Sequence, residues 1–330
     1  MSNTVADVYS DCTDDPAAPG REALVYDAIH AMISPRNEVL RLLPHKERRM
    51  VGAWCFVDVF GPTDVADQAG MAVAPHPHLG LQTVSWLIQG TVVHRDSLGT
   101  TALVEPGHAA VMSAGNGIAH SENSPVHDGA RGSRGVSLHG AQLWVALPEH
   151  ARGGEHSFVL HERAPIRESP GLRARVFMGQ LGATVAPAQG VTPLLGVELS
   201  PESSQSRQGT VPLDPAYEHL LVPLVGTVRA CGKDVVAGQA VFLGTDRDAL
   251  DLELTPEARV LLLGGLPFEE EIVMWWNFVA RTHEEIEQAR QQWNAGGDPR
   301  FGEVSHYPGP ERLRAPELPN LRLRPRGRRR

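Results

Sequence analysis

Cysteine is scarce in this chain: three residues in 330, Cys12, Cys55 and Cys231, scattered and odd in number. That excludes a disulfide framework or a zinc knuckle, both of which need paired or closely spaced thiols, and it fits a reducing cytoplasm. Cys55 sits in an apolar strand pattern and reads as a small core residue. Long apolar runs are absent too. No stretch reaches 18 apolar residues, and a membrane-spanning helix needs about 20. The opening residues lack the charged-then-apolar pattern of a secretory signal, so a soluble cytoplasmic protein without a membrane partner is expected. Positive charge is short overall, with 39 acidic against 30 basic side chains. It is also unevenly placed. Arg322, Arg324, Arg326, Arg328, Arg329 and Arg330 crowd the last ten residues, and removing those six charges takes the net charge from −9 to −15. An acidic body argues against a broad nucleic-acid surface. Only the Arg-rich tail could touch nucleic acid or anionic lipid, and its Pro/Arg composition predicts a disordered solubilising segment.

Histidine, by contrast, is patterned. His76-Pro77-His78-Leu79-Gly80 is answered about forty residues later by Ala114-Gly115-Asn116-Gly117-Ile118-Ala119-His120-Ser121-Glu122. Each stretch offers two metal-competent side chains at positions i and i+2, which on a strand share one face. Thr83–Ile88, Val92–His94 and Ala109–Met112 are β-rich and separated by Gly-containing turns, with Gly80, Gly90, Gly107 and Gly117 at turn positions. Pro77 cannot donate to a ladder, so its strand belongs at an edge or an end. A lone His-x-His pair is often two surface histidines. Joined to His-x-Glu across strand-patterned sequence, it predicts three imidazoles and a carboxylate converging on a divalent transition metal in the mouth of a small antiparallel barrel.

The second half carries a faint copy of the first. Leu220–Val228 echoes Val84–Val92, and Val236–Leu243 echoes Val104–Val111. A duplicated strand–turn–strand module predicts a second barrel, and with only His219 nearby it should hold no metal in the same way. The expected order is a partly flexible leader over 1–37 and a metal-binding barrel over 38–150. A metal-free barrel with a terminal helix follows over 151–300, then the Pro/Arg-rich tail over 301–330. Val25–Ile33 is predicted as a short helix. The capping box Thr282-His283-Glu284-Glu285, with Ile286, Ala289 and Trp293 behind it, predicts another near 283–293. Beyond Asn294, where Gly and Pro dominate, order is expected to fade.

The ordered set of motifs resembles the pirin family of the cupin superfamily. It runs from Leu43-Pro44-His45-Lys46-Glu47-Arg48-Arg49-Met50-Val51-Gly52 through Phe56-Val57-Asp58, Gly61-Pro62, the histidine pair and His94-Arg95-Asp96-Ser97-Leu98-Gly99. Pro106-Gly107, Ala114–Glu122 and Gln142-Leu143-Trp144-Val145 complete it. The resemblance covers about residues 40–295. It implies an all-β protein of two tandem cupin barrels of antiparallel or jelly-roll type, with a short C-terminal helix. It also implies Fe(II), with another divalent transition metal as the alternative, bound by His76, His78, His120 and Glu122 of the first barrel. Some family members resemble quercetin 2,3-dioxygenases and others are linked to regulation through protein partners, so the resemblance specifies a site better than a role. Gln82, Val59 and Ala53-Trp54-Cys55 depart from the family pattern, which weakens carry-over of the substrate more than of the metal.

With four protein ligands an octahedral ion keeps two positions free, which suits a dioxygenase acting on a small molecule such as a flavonol or enediol, with Glu122 as the base. The alternatives are an iron- and redox-sensitive regulator working through a protein partner and, ranked last, a metal kept as a structural staple. His94 and Asp96 read as a structural hydrogen bond, and Trp275-Trp276-Asn277 as a packing element. Gln82 reads as a neutral group behind the site, and His108, His127 and His139 as isolated histidines.

Overall fold

In the computed structural model the described residues are 23–34, 37–64, 71–125, 137–205, 207–309 and 312–328; Cys12 and His127 lie outside them. The first half forms β1 (Ala23–Asp27), β2 (Ile29–Ser34), β3 (Asn37–Leu43), β4 (Trp54–Asp64), β5 (Ala72–His78), β6 (Leu81–Gln89), β7 (Val92–Asp96), β8 (Thr101–Val104), β9 (Ala109–Ser113), β10 (Ile118–Asn123), β11 (Ser137–Ala146) and β12 (Ser157–His161). The second forms β13 (Ile166–Ser169), β14 (Leu172–Leu181), β15 (Thr184–Val185), β16 (Leu194–Pro201), β17 (Gln208–Pro212), β18 (Glu218–Val225), β19 (Thr227–Ala230), β20 (Lys233–Val236), β21 (Gln239–Leu243), β22 (Ala249–Leu254), β23 (Arg259–Gly265), β24 (Val273–Trp275) and β25 (Phe278–Ala280), followed by helix α1 (His283–Ala295).

Each barrel pairs a large sheet with a small one. In the first, a seven-stranded sheet ordered β12-β9-β6-β11-β4-β3-β2 packs on a four-stranded sheet ordered β5-β10-β7-β8. Val39, Phe60, Leu87 and Leu138 of the large sheet share a buried cluster there with Val92 and Val104 of the small one. In the second, β1-β21-β18-β23-β16-β14-β13, with β15 on β14, packs on β17-β22-β19-β20. Its core mixes Val176, Leu199, Leu221 and Leu262 with Val211, Val228 and Leu252. All pairings between named strands are antiparallel, and apolar residues alternate along them as a half-buried sheet requires: Ala249–Leu254 runs exposed, buried, exposed, buried, exposed, buried.

A third core lies between the two large sheets, where Val57, Val84, Trp86 and Leu143 meet Phe177, Leu220 and Leu261. The tryptophans there need partners for their N–H groups once buried. Trp54 Nε1 donates to the carbonyls of Leu195 (3.2 Å) and Gly264 (3.1 Å), and Trp86 Nε1 to Glu198 Oε2 (2.7 Å). Trp86 also stacks on Phe177 with ring centroids 4.7 Å apart. Val59, one of the departures from the family pattern, is buried in this same core.

Two local expectations fail for the same reason. Val25–Ile33 is not a helix but parts of β1 and β2, because β1 pairs with β21 of the second barrel and β2 with β3 of the first. Pairing with distant strands overrides the local pattern. Nor does order fade beyond Asn294. Phe301 and Ala315 are buried, with Leu318 and Leu323 packed on the same cluster, and Arg326 exchanges both backbone bonds with Ile272. Helix α1 does start as expected: Thr282 caps it by accepting from the Glu285 amide at 3.2 Å, and it ends at Gly296 in a positive-φ conformation. No helix among the described residues is long and apolar enough to cross a membrane, which says nothing of a β-barrel.

The halves are also joined by charge. Arg48 is 3 % exposed and pairs with Glu218, itself 2 % exposed. Arg328 pairs with the same carboxylate, and Gly52 N–H donates to its other oxygen at 3.2 Å. Removing one partner of such a pair strands a buried charge. Glu218→Ala is therefore expected to lose about 3–5 kcal/mol of unfolding free energy, whereas Glu253→Ala on the exposed face of β22 should change it by no more than about 0.5 kcal/mol; urea denaturation of both variants checks the contrast.

Candidate metal centre

The histidine pair ends β5, and the His120 strand β10 lies between β5 and β7. Register brings His120 opposite His76 on one side and opposite Asp96 on the other, while Glu122 falls opposite His94. A bulge between His120 and Glu122 shifts the β5 pairing by one residue. The outcome is a group of three buried imidazoles, His76, His78 and His120, whose ligand atoms lie within 4.8 Å of one another. His94, His120 and Glu122 form a second such group sharing His120. Among the described residues these are the two clusters able to hold a metal, and both belong to the first barrel.

Each imidazole of the triad has its Nδ1 engaged. His76 Nδ1 donates to the Ala74 carbonyl (2.9 Å), and His78 Nδ1 to the Asn277 carbonyl (3.2 Å). His120 Nδ1 lies 3.4 Å from His94 Nδ1, and His94 Nε2 lies 3.1 Å from Asp96 Oδ2. The carboxylate can only accept, so the proton order reads outward: His94 gives its Nε2–H to Asp96, and its Nδ1 accepts from His120 Nδ1–H. All three triad rings then keep an Nε2 lone pair. For His120 that nitrogen is buried with no hydrogen-bond partner, a costly arrangement unless something else accepts the lone pair. A divalent ion fits this donor set: neutral imidazole nitrogens with their far nitrogens already bound.

Burial holds the triad neutral. It pushes His76 down to about 4, against the Ala74 hydrogen bond and with help from nearby His94. It pushes His78 and His120 well below the usual histidine range, with the neighbouring histidines adding to the effect. Glu122 moves the other way: burial raises its carboxyl, opposed by His94 and by a hydrogen bond from Ser85. Ser85 Oγ stands 3.1 Å from Glu122 Oε1 and 2.8 Å from Gln142 Oε1, and its single proton serves one of them at a time.

His76, His78, His120 and Glu122 all open on one cavity of about 350 Å³, walled by Phe56, Trp144, Trp276 and Asn277 among others. Phe56 and Trp144 stack with centroids 4.0 Å apart, and Trp144 meets His78 edge-on. The Trp144 Nε1–H is buried and has no acceptor. Arg41 is bound by both oxygens of Asp58 (2.9 and 2.8 Å), so this cation at the wall is already neutralised.

All four predicted ligand residues line this cavity, but Glu122 groups with His94 and His120 rather than with His76 and His78. Residues given bland roles also belong to the site. The expected His94–Asp96 hydrogen bond is there, and it extends to His120 Nδ1, which it orients; the i, i+2 spacing on β7 is the same signal that marked the first pair. Trp276 and Asn277 reach the cavity from the turn between β24 and β25, where Trp276 sits at φ +52. That hairpin docks against the end of β5: Val279 N–H donates to the Leu79 carbonyl at 2.9 Å, and a Cβ on Gly80 would stand 2.1 Å from the Val279 oxygen. Gly80 is therefore required by close approach as well as by its positive φ. Gln82 is not among the residues lining the cavity. It is buried, and its Oε1 lacks a partner.

Two barrels with a histidine-lined centre in the first define a bicupin with a candidate metal site. Residues 35–145 match the Pirin family model and 198–302 the Pirin C-terminal cupin domain, and the chain belongs to the pirin family. It is 43% identical over 281 residues to a Pseudomonas aeruginosa protein named a putative quercetin 2,3-dioxygenase, covering 85% of this chain and 86% of that one. It is 35% identical to a pirin-like protein of Caulobacter vibrioides, covering 83% and 93%. Among solved structures, one titled quercetin 2,3-dioxygenase from Acinetobacter baumannii superposes with a TM-score of 0.84 at 38% identity, covering 91% of this chain and 97% of that one.

Two outcomes follow from the geometry. His94→Ala should leave the ligands in place but weaken metal affinity by about 10–100-fold, measured by competition with a chromophoric chelator. Without metal, stability should fall as pH drops from about 6.5 to about 4. In that window the unfolded chain takes up protons that buried His76 refuses, so the unfolded state gains at each step. Thermal melts in chelator between pH 7 and pH 4.5 check the sign, and His76→Gln should flatten the slope.

Proposed function

We propose that this chain is a dioxygenase for a small flavonol or enediol-type substrate, quercetin 2,3-dioxygenase-like, with Fe(II) held by His76, His78, His120 and Glu122. The observation that carries the reading is the unpartnered, buried His120 Nε2 beside His76 and His78 at the wall of an aromatic-sided cavity. A volume of about 350 Å³ falls within the range of small-molecule sites. When bound, Fe(II) supplies Lewis acidity toward a substrate oxygen and redox chemistry with dioxygen. Three neutral imidazoles and one carboxylate leave such a site with a net charge near +1, which favours a monoanion such as an enolate or flavonolate.

The residues of the chain divide the remaining work. Glu122 acts as the base: burial raises its carboxyl, and Ser85 steadies it while it takes the substrate hydroxyl proton. Phe56, Trp144 and Trp276 offer flat apolar faces to an aromatic substrate, and the unpaired Trp144 Nε1–H offers it a donor. The catalytic unit in this reading is the barrel of residues 38–150, with residues 151–300 a metal-free barrel that closes the site and the whole working in the cytoplasm. No nucleic-acid role is assigned to the body.

The test is anaerobic Fe(II) loading followed by oxygen uptake with quercetin. Metal-dependent uptake with a ring-opened product is expected, lost in His120→Ala and slowed by about 100-fold in Glu122→Gln. Tight iron binding with no uptake on any flavonol or enediol would overturn the reading in favour of an iron- and redox-sensitive regulator acting through a protein partner.

A further inference from the structure

A second cavity, of about 1000 Å³, lies between the Leu43–Val51 connection and the C-terminal segment. Five cationic side chains line it, Lys46, Arg49, Arg322, Arg324 and Arg326, and no carboxylate does. The contrast with a chain of net charge −9 is sharp. Carboxylates outside the lining offset part of the charge: Glu47 lies 4.0 Å from Lys46 and Glu284 lies 2.5 Å from Arg322. Among the described residues Arg49, Arg324 and Arg326 form no ion pair. The floor is apolar, with Met50, Ile272, Met274 and Leu323.

The scaffold beneath these arginines is fixed. Arg326 is paired by its backbone with Ile272 (3.1 and 2.9 Å), Leu323 N–H donates to His283 Nδ1 (3.1 Å), and Arg49 N–H donates to the Arg328 carbonyl (3.2 Å). Arg328 itself is held by Glu218 and Glu269. Arg322, Arg324 and Arg326 follow one another at i, i+2 and i+4, a spacing that in an extended chain sets side chains on one side. Arg49 joins them from the first barrel, close enough to Arg326 that the like charge, after burial, depresses its guanidinium. Three guanidinium groups without an ion pair among the described residues, set over an apolar floor, favour an anion that brings several oxygens and an apolar or aromatic body.

We propose that this cavity is a binding site for a small organic phosphate of the nucleoside diphosphate kind, its phosphates gripped by Arg49, Arg324 and Arg326 and its body laid on Met50, Ile272 and Met274. Guanidinium forks match phosphate oxygens two at a time, and three of them without an ion pair among the described residues suit such a ligand. The site is separate from the histidine cluster, and its ligand plays no part in the oxygen chemistry.

Calorimetry on the full-length protein with ADP as probe and adenosine as control tests this. Saturable ADP binding at one site per chain is expected at low ionic strength, with none for adenosine. Arg49→Gln combined with Arg326→Gln should weaken it by about tenfold or more, and so should Arg324→Gln, whose exposed position leaves the fold undisturbed. Metal content and oxygen uptake should stay as in the wild type. Absence of saturable ADP binding would overturn the proposal. So would equal ADP affinity in the variants, or tighter binding of an acidic peptide of the same charge.

Discussion

Three imidazoles cannot be buried side by side unless each has its N–H satisfied, and the arrangement at the candidate metal centre answers to that demand. A hydrogen bond at Nδ1 does two things at once: it removes the cost of a stranded donor, and it sets the tautomer that leaves Nε2 with a lone pair. The three acceptors come from different places. Ala74 lies two residues back on the same strand, His94 on the strand next to His120, and Asn277 nearly two hundred residues on, in a hairpin of the second half.

That last contact explains why the second barrel matters to the site. The β24–β25 hairpin is held against Leu79 by a backbone bond and packs closely on Gly80, and helix α1 packs behind it through Ile286, Ala289 and Trp293. The C-terminal segment then closes over the helix. Leu313 N–H donates to the Pro75 carbonyl, beside His76, and Trp293 Nε1 donates to the Leu313 carbonyl. Leu313 itself lines the cavity. The shared core between the large sheets, with the Arg48–Glu218 pair beside it, holds these parts in register.

The strand alternation around His76 and His120 was legible because a two-residue side-chain period is local: it depends on nothing farther away than the next peptide unit. The same holds for the capping box at Thr282, which needs only four consecutive residues. Val25–Ile33 shows the limit. Its composition suits a helix or a strand, and the choice was made by β21 and β3, which no local window contains. The arginine-rich end is a similar case. Its composition suggests solvation, yet Leu318, Leu323 and Arg326 find partners on α1 and Ile272 that only folding supplies. Asn277 acts through its backbone carbonyl, an atom every residue has, so no side-chain signal could mark it. His94 was legible in principle, since it stands two residues from Asp96 on one strand face.

By itself, then, the sequence determined the candidate ligand types, their i, i+2 spacing, the all-β character and the duplication, because each of these is written in short-range periodicity. Tertiary structure alone decided which nitrogen of each histidine is free, which aromatic rings wall the cavity, and where the last arginines stand. Those depend on contacts between residues up to about 280 positions apart, as between Arg49 and Arg328, and the geometry of such contacts exists only once the chain has folded as a whole.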